Sequence, residues 1–267
     1  MKYYLELYRQ QFRVTFASMF QYRAALLIWM IWQVSEPLVL LIVWSVVANA
    51  SGGNVGGYSA SGFAAYYVMF MIVNQLTYTW IMYEFEYRIR EGGLSARLLK
   101  PVHPIHSDIA DNISSKLITF PVILVIATGL ALAFHASFSF TPLMLLLSVP
   151  AIFFAFLLRF LLEWTLSLAA FWTTRVGAVN QTYFMFILLF SGQLAPLTLM
   201  PSAIQFVGQI LPFYWMIGFP VRLLLGQLST GEVLAGIGVQ IIWVALALGL
   251  VRIVWRSGIK IYSAVGA

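Results

Sequence analysis

Residues 143–172 read LMLLLSVPAIFFAFLLRFLLEWTLSLAAFW, an apolar run carrying only two charges, Arg159 and Glu163. It exceeds the roughly 20 residues that take a helix across the hydrocarbon core of a bilayer. Its apolar residues do not alternate as those of a barrel strand do. Backbone groups cannot stay unpaired in hydrocarbon, so helices and closed barrels are the only spanning structures, and this run predicts a helix.

Comparable runs lie at about residues 24–48, 63–82, 117–134, 183–200 and 233–254, which makes six predicted transmembrane helices and an all-α polytopic membrane protein. Composition agrees, with 61% hydrophobic and 9% charged residues, against roughly 25% charged in soluble domains. The chain reads as a single transmembrane domain over residues 1–267, because the largest piece between spans, about residues 83–116, is too small to hold its own core. An even number of spans puts both termini on one side. Lys2, Arg9, Arg13 and Arg23, then Arg88, Arg90, Arg97, Lys100 and Lys116, then Arg175, and finally Arg252, Arg256 and Lys260 all fall on that side, which the positive-inside rule makes cytoplasmic. Arg222 alone falls outside. No cleavable signal peptide is expected, since Glu6, Arg9 and Arg13 precede any apolar run.

Three further segments complete the expected architecture. Over residues 2–22, Lys2, Glu6, Arg9 and Arg13 recur on one helical face and Leu5, Tyr8, Phe12, Phe16 and Met19 on another, which predicts an amphipathic interface helix. Residues 202–228 are apolar but cut by Pro212 and Pro220, which predicts an external re-entrant helical hairpin before the last span. Residues 91–106, EGGLSARLLKPVHPIH, place a glycine pair before and two prolines after a helix of about two turns. Leu94 and Leu98 share a face there, Arg97 and Lys100 flank it, and Ser107 or Asp108 suits the N-cap of the next helix. Two readings fit: a knob that docks on a cytoplasmic partner, or an interfacial loop resting on anionic head groups.

The stretch EGGLSARLLKPVHPIHSDIADNI before a span, with the closing WRSGIKIYSAVGA, resembles permease subunits of type-two ATP-binding-cassette exporters, in particular the bacterial subgroup of uncharacterised or drug and viologen export permeases. The resemblance covers essentially the whole chain. It implies that residues 91–106 are a coupling helix seated on a separate ATPase through Leu94, Arg97, Leu98 and Lys100, with Arg9 and Arg13 of the interface helix beside it. It further implies export between two permease subunits, as a homodimer or heterodimer, in a bacterial inner membrane, with the hairpins forming an external lid. ATP and Mg would be bound by the partner, since none of the four lysines directly follows a glycine and no phosphate-binding GxxxxGK[ST] loop exists here.

The intramembrane polar candidates are Glu36, Arg159 and Glu163. Arg159 and Glu163 are one turn apart on one face, and ionisable groups at that depth are functional candidates, although a self-satisfied pair pinning the helix is the alternative. Glu36 precedes Pro37, at a hinge or a static kink. Phe184, Phe186 and Phe190 are candidates for an apolar pathway or for core packing. His103, His106 and Asp108 have ligand-like spacing, but Pro104 breaks the helix there, and no metal site is expected. Asn112 and Asn180 match the glycosylation pattern and carry no meaning on a cytoplasmic face.

The absence of Cys removes thiol nucleophiles and thiolate metal sites, and no HExxH helix is present, so no enzyme activity or cofactor is expected of this chain. The leading function is an ATP-driven exporter permease moving an amphipathic or lipid-like compound by alternating access. The alternative is an autonomous proton-coupled carrier using Glu36 or Glu163. Nucleic acid is not an expected partner; membrane lipid is.

Overall fold

The computed structural model describes residues 2–173 and 176–262, and of these the side chains of residues 2–5 and 23 are not described. Arg175, the side chains of Lys2, Leu5 and Arg23, and the last five residues of the closing motif therefore lie outside the described residues. Among those described, twelve α-helices follow one another: α1 (Lys2–Gln21), α2 (Arg23–Ala50), α3 (Ala60–Thr77), α4 (Ile81–Arg90), α5 (Gly93–Leu98), α6 (Pro104–Ala133), α7 (Pro142–Ser167), α8 (Val176–Phe190), α9 (Ser202–Ile210), α10 (Pro212–Met216), α11 (Gly218–Leu224) and α12 (Thr230–Gly258).

Four helices are long and apolar enough to cross a membrane: α2, α6, α7 with the 3-10 turn that extends it to Phe171, and α12. Two expected spans differ from this. The run at 63–82 is a helix only to Thr77, after which Tyr78, Thr79 and Trp80 interrupt it before α4. The run at 183–200 is displaced toward the N-terminus, because the helix starts at Val176 and stops at Phe190. Apolar character continues past that stop, but Gly192 has a left-handed backbone (φ +90°), and a Cβ there would meet the Tyr66 hydroxyl at 2.5 Å. The chain leaves the helix to let this close approach happen. Tyr66 then donates to the Gly192 carbonyl (2.6 Å), and Tyr67 and the Trp44 indole both donate to the Leu194 carbonyl (2.8 and 2.9 Å).

α3 is the buried helix of the bundle, packed against α2, α6, α7 and α11, with Phe63, Tyr66, Tyr67 and Phe70 fully enclosed. α7 and α12 pack along each other. Residues 202–228 fold as three short helices, with α10 and α11 largely buried. Pro212 opens α10 as expected, whereas Pro220 lies inside α11 and the second break falls at Ile217. Gly218, just after that break, allows a close approach, since a Cβ there would sit 2.6 Å from the Ser191 carbonyl. α12 then starts with a reciprocal capping box, Ser229 and Glu232 each holding the other's backbone N–H.

α1 packs along α6 through polar anchors: Gln11 and Thr15 both donate to the Asp111 carboxylate (2.6 and 2.8 Å). Phe12, Phe16 and Phe20 form a ladder of rings along it, and Arg9 and Arg13 are exposed.

Candidate functional site

Two regions bring chemistry-bearing side chains together. At the α5 end of the bundle, Gly92 turns the chain in the left-handed region (φ +72°) and α5 begins. Pro104 is the first residue of α6, where its missing N–H costs nothing, so this helix starts before Ser107. Its N-cap is His103, whose Nδ1 accepts from the Ile105 N–H (3.3 Å); Ser107 and Asp108 are not caps.

Asp108 is instead a buried knot. Its Oδ1 accepts from Arg88 on α4 (2.5 Å) and Arg97 on α5 (2.9 Å), and its Oδ2 accepts from the Trp164 indole on α7 (3.0 Å). Arg88 also bonds Glu84 one turn earlier. Four helices thus converge on one carboxylate, and α5 is fixed to the frame by charge-assisted bonds, the strong class of hydrogen bond.

The four residues expected to dock, Leu94, Arg97, Leu98 and Lys100, do not share one outward face. Leu94 is 0% exposed and packs in the core, Leu98 packs against the same cluster, and Arg97 turns inward to Asp108. The residues presented outward are Ala96, Lys100 and Leu99, which is 88% exposed. Tyr262 closes the other side by contacting Ser95 Oγ (2.8 Å). His103 lies against the Trp255 and Trp164 rings (4.6 and 5.6 Å). Burial there, with His106 nearby and Asp108 opposing, pushes its imidazole below the ordinary pKa. Among the described residues, no group of three or more His, Asp or Glu is placed to hold a metal ion.

The second region lies at the interruption between α3 and α4. Arg159 and Glu163 of α7 pair at 2.9 Å, at 2% and 0% exposure. Around them the broken chain supplies most of the remaining bonds. Arg159 donates to Asn74 (2.8 Å) and Thr77 (3.2 Å), and its guanidinium lies over the Tyr78 ring (5.2 Å). Thr79 and Tyr183 donate to Glu163, and Lys116 of α6 donates to the Tyr78 carbonyl. Peptide groups freed by a helix break need such partners wherever water is absent. The pair is satisfied and holds the break in place.

Beside it, between α2, α4 and α8, is a groove of ≈ 600 Å³. Glu36, Trp32, Tyr78, Trp80, Tyr83 and Phe184 line it, with Arg159 at its edge. Glu36 is exposed to it and accepts a single hydrogen bond, from the Gln193 amide. Ser35 donates back to the Ile31 carbonyl (2.6 Å), one turn before the proline-altered segment. Of the three candidate pathway phenylalanines, Phe184 faces this groove, while Phe186 stacks between Phe190 and Phe213 on another side of α8. Trp80 also borders a second, polar cavity of ≈ 410 Å³ between α1, α4 and α6, which includes Glu84, Arg88 and Asp111. Trp80 therefore stands between a polar chamber at the α5 end and the aromatic groove.

Trp80 and Tyr83 escaped sequence reasoning, as did the roles of Asp108 as a buried ion-pair centre and of Lys116 as donor to the Tyr78 carbonyl. The one available signal was the surplus of Arg over acid in residues 88–107, which asks for a carboxylate and finds it in Asp108.

A family model described as ABC-2 family transporter protein matches residues 34–266. No curated protein matches the chain, and no solved structure does.

Proposed function

Because the chain belongs to the ABC-2 transporter family and is a membrane-embedded permease, we propose that it exports an amphipathic or lipid-like compound, powered by a separate ATPase subunit that docks on α5. One observation carries this reading: Leu99 and Lys100 project from a short helix whose inner face is locked to α4, α6 and α7 through Asp108. A push on that knob has no slack to absorb it. It passes along α4 to Trp80 and Tyr83, the wall of the groove. Exposed Arg9 and Arg13 on α1 supply a second basic surface for the same partner or for anionic lipid.

In this reading α2, α3, α6, α7, α8 and α12 are the six crossings, both termini are cytoplasmic in a bacterial inner membrane, and α9–α11 form the external lid. α3 and α8 are about 27 and 22 Å long at 1.5 Å per residue, short against a roughly 30 Å core. The enclosure of α3 by its neighbours frees it from matching the lipid. A second permease subunit, identical or different, completes the route, and substrate moves by alternating access.

The test is recovery of partners from native membranes. The wild-type chain is expected to bring down a nucleotide-binding subunit, and Leu99→Asp to lose it while the permease keeps its thermal stability, because Leu99 makes almost no internal contact. Recovery of the chain alone, with proton-driven transport by the purified protein, would replace this reading by a self-contained carrier.

A further inference from the structure

We propose that Trp80 is a gate between the polar chamber and the aromatic groove, and that a transported compound enters the groove from the cytoplasmic side, through the chamber, when the indole swings aside. The proposal rests on the groove being part of the transport route. The chamber between α1, α4 and α6 is walled by Gln11, Thr15, Glu84, Arg88, Asp111 and Ser115 among others, and its α1 wall reaches the surface at the exposed Val14 and Ser18. A polar space of ≈ 410 Å³ with so many donors and acceptors holds water. The groove between α2, α4 and α8 is lined mainly by rings and apolar side chains. Among the described residues, Trp80 is the one that lines both spaces.

The indole is held less firmly than its surroundings. Just before it, the Tyr78 carbonyl accepts from Lys116 and Thr79 donates to Glu163. The indoles of Trp44, Trp164 and Trp215 each donate a hydrogen bond. That of Trp80 donates none among the described residues. It is 47% exposed and lies stacked on Tyr83 (centroids 4.5 Å, planes 27° apart), with the Tyr78 ring further off (6.4 Å). A side chain held by stacking alone turns between rotamers without disturbing the clamped backbone beside it. Its supporting ring belongs to α4, and Arg88 of that helix shares Asp108 with Arg97 of α5. Displacing α5 therefore shifts Tyr83 under the indole, which ties the gate to the surface proposed to receive the ATPase.

The chain contains no Cys, so an introduced one is its sole thiol. Gln181→Cys places a thiol in the groove beyond Trp80, Ser18→Cys one in the chamber, and Ala155→Cys one in the core of α7 as a monitor of unfolding. Each variant, in inside-out membrane vesicles, is treated with a membrane-impermeant sulfonated maleimide, and the labelling rate is measured with Trp80 intact, with Trp80→Phe and with Trp80→Ala. Ser18→Cys is expected to react fast in all three. Gln181→Cys should react slowly with Trp80 intact or with Trp80→Phe, which keeps a stacking ring. It should react about tenfold faster with Trp80→Ala, as when an open state populated at about 10% becomes permanent. Ala155→Cys should stay unreactive throughout. A Gln181→Cys rate that is already fast with Trp80 intact, or that Trp80→Ala leaves unchanged, would overturn the gate. So would slow labelling of Ser18→Cys, which would close the chamber to the cytoplasm, or a rise at Ala155→Cys as large as that at Gln181→Cys, which would make Trp80 a packing residue. Labelling needs no ATPase, so the two readings fail separately. ATPase recovery with Trp80-independent labelling overturns the gate alone, whereas Trp80-dependent labelling of a chain that recovers no ATPase supports the gate and overturns the ATP-driven reading.

Discussion

The two ionic clusters of this molecule look alike on paper and are built for different purposes. Asp108 draws its partners from different helices: Arg88 from α4, Arg97 from α5 and the Trp164 indole from α7, with the two arginine side chains still 12% and 27% exposed. Arg159 and Glu163 are neighbours on one helix, both almost wholly enclosed, and their further partners come chiefly from a single interrupted segment, Asn74 to Thr79. The first cluster ties separate pieces to a frame near water. The second gives the polar side chains of an interrupted helix, Asn74, Thr77 and Thr79, their partners in a dry interior. The difference lies in what is left behind when a partner is removed: a group that water can reach in one case, and a stranded charge in the other.

Mutating each cluster should expose that contrast. The largest effect is expected for Arg159→Leu, which leaves Glu163 buried and unpaired at a cost of about 3–5 kcal/mol. Arg159→Leu with Glu163→Leu should recover most of that loss, because no charge remains to be stranded. Thermal unfolding in detergent measures both, and a double variant as unstable as the single would show that the clamp on the α3–α4 break matters more than charge balance.

Asp108→Asn comes next. It keeps an acceptor for one donor while leaving two partly wet guanidiniums, which predicts a loss of about 1–3 kcal/mol. The same variant should free α5, so that trypsin cuts after Arg97 faster at a temperature where the bundle is intact. A loss as great as that of Arg159→Leu would erase the distinction between the clusters.

The smallest effect concerns His103, at the edge of the Asp108 region. Its pKa is held below the ordinary value, so the unfolded chain takes up the proton first as pH falls. The stabilising contribution is present above the ordinary histidine pKa of about 6.5 and is lost as pH drops through the folded value. Wild-type protein should therefore lose a small increment of melting temperature between pH 7 and pH 5.5 that His103→Gln does not.

The fold was legible wherever the signal was local. Apolar run length found α2, α6, α7 and α12, and the i, i+4 spacing identified the Arg159–Glu163 pair. The partners of that pair were not legible, since Asn74, Thr77 and Thr79 lie more than eighty positions away. The end of α8 was misread for a related reason: apolarity persists through 191–200, and what stops the helix is the approach of Tyr66 to Gly192. In α5 the shared face of Leu94 and Leu98 was legible, but its inward direction was not. An apolar ridge beside a protein that is 61% hydrophobic buries against its own body before it serves a partner. Leu94 went inward, Arg97 followed it to Asp108, and the outward residue became Leu99.

The contact between Tyr262 and Ser95 has a practical side. Because Tyr262 lies against α5, a bulky group attached at that residue would stand at the flank of α5, where it would compete with the subunit proposed to dock there. A handle inserted in the exposed, glycine-rich segment 51–54, between α2 and α3, would leave that flank clear. It would turn pull-down yield into a measure of affinity instead of steric obstruction.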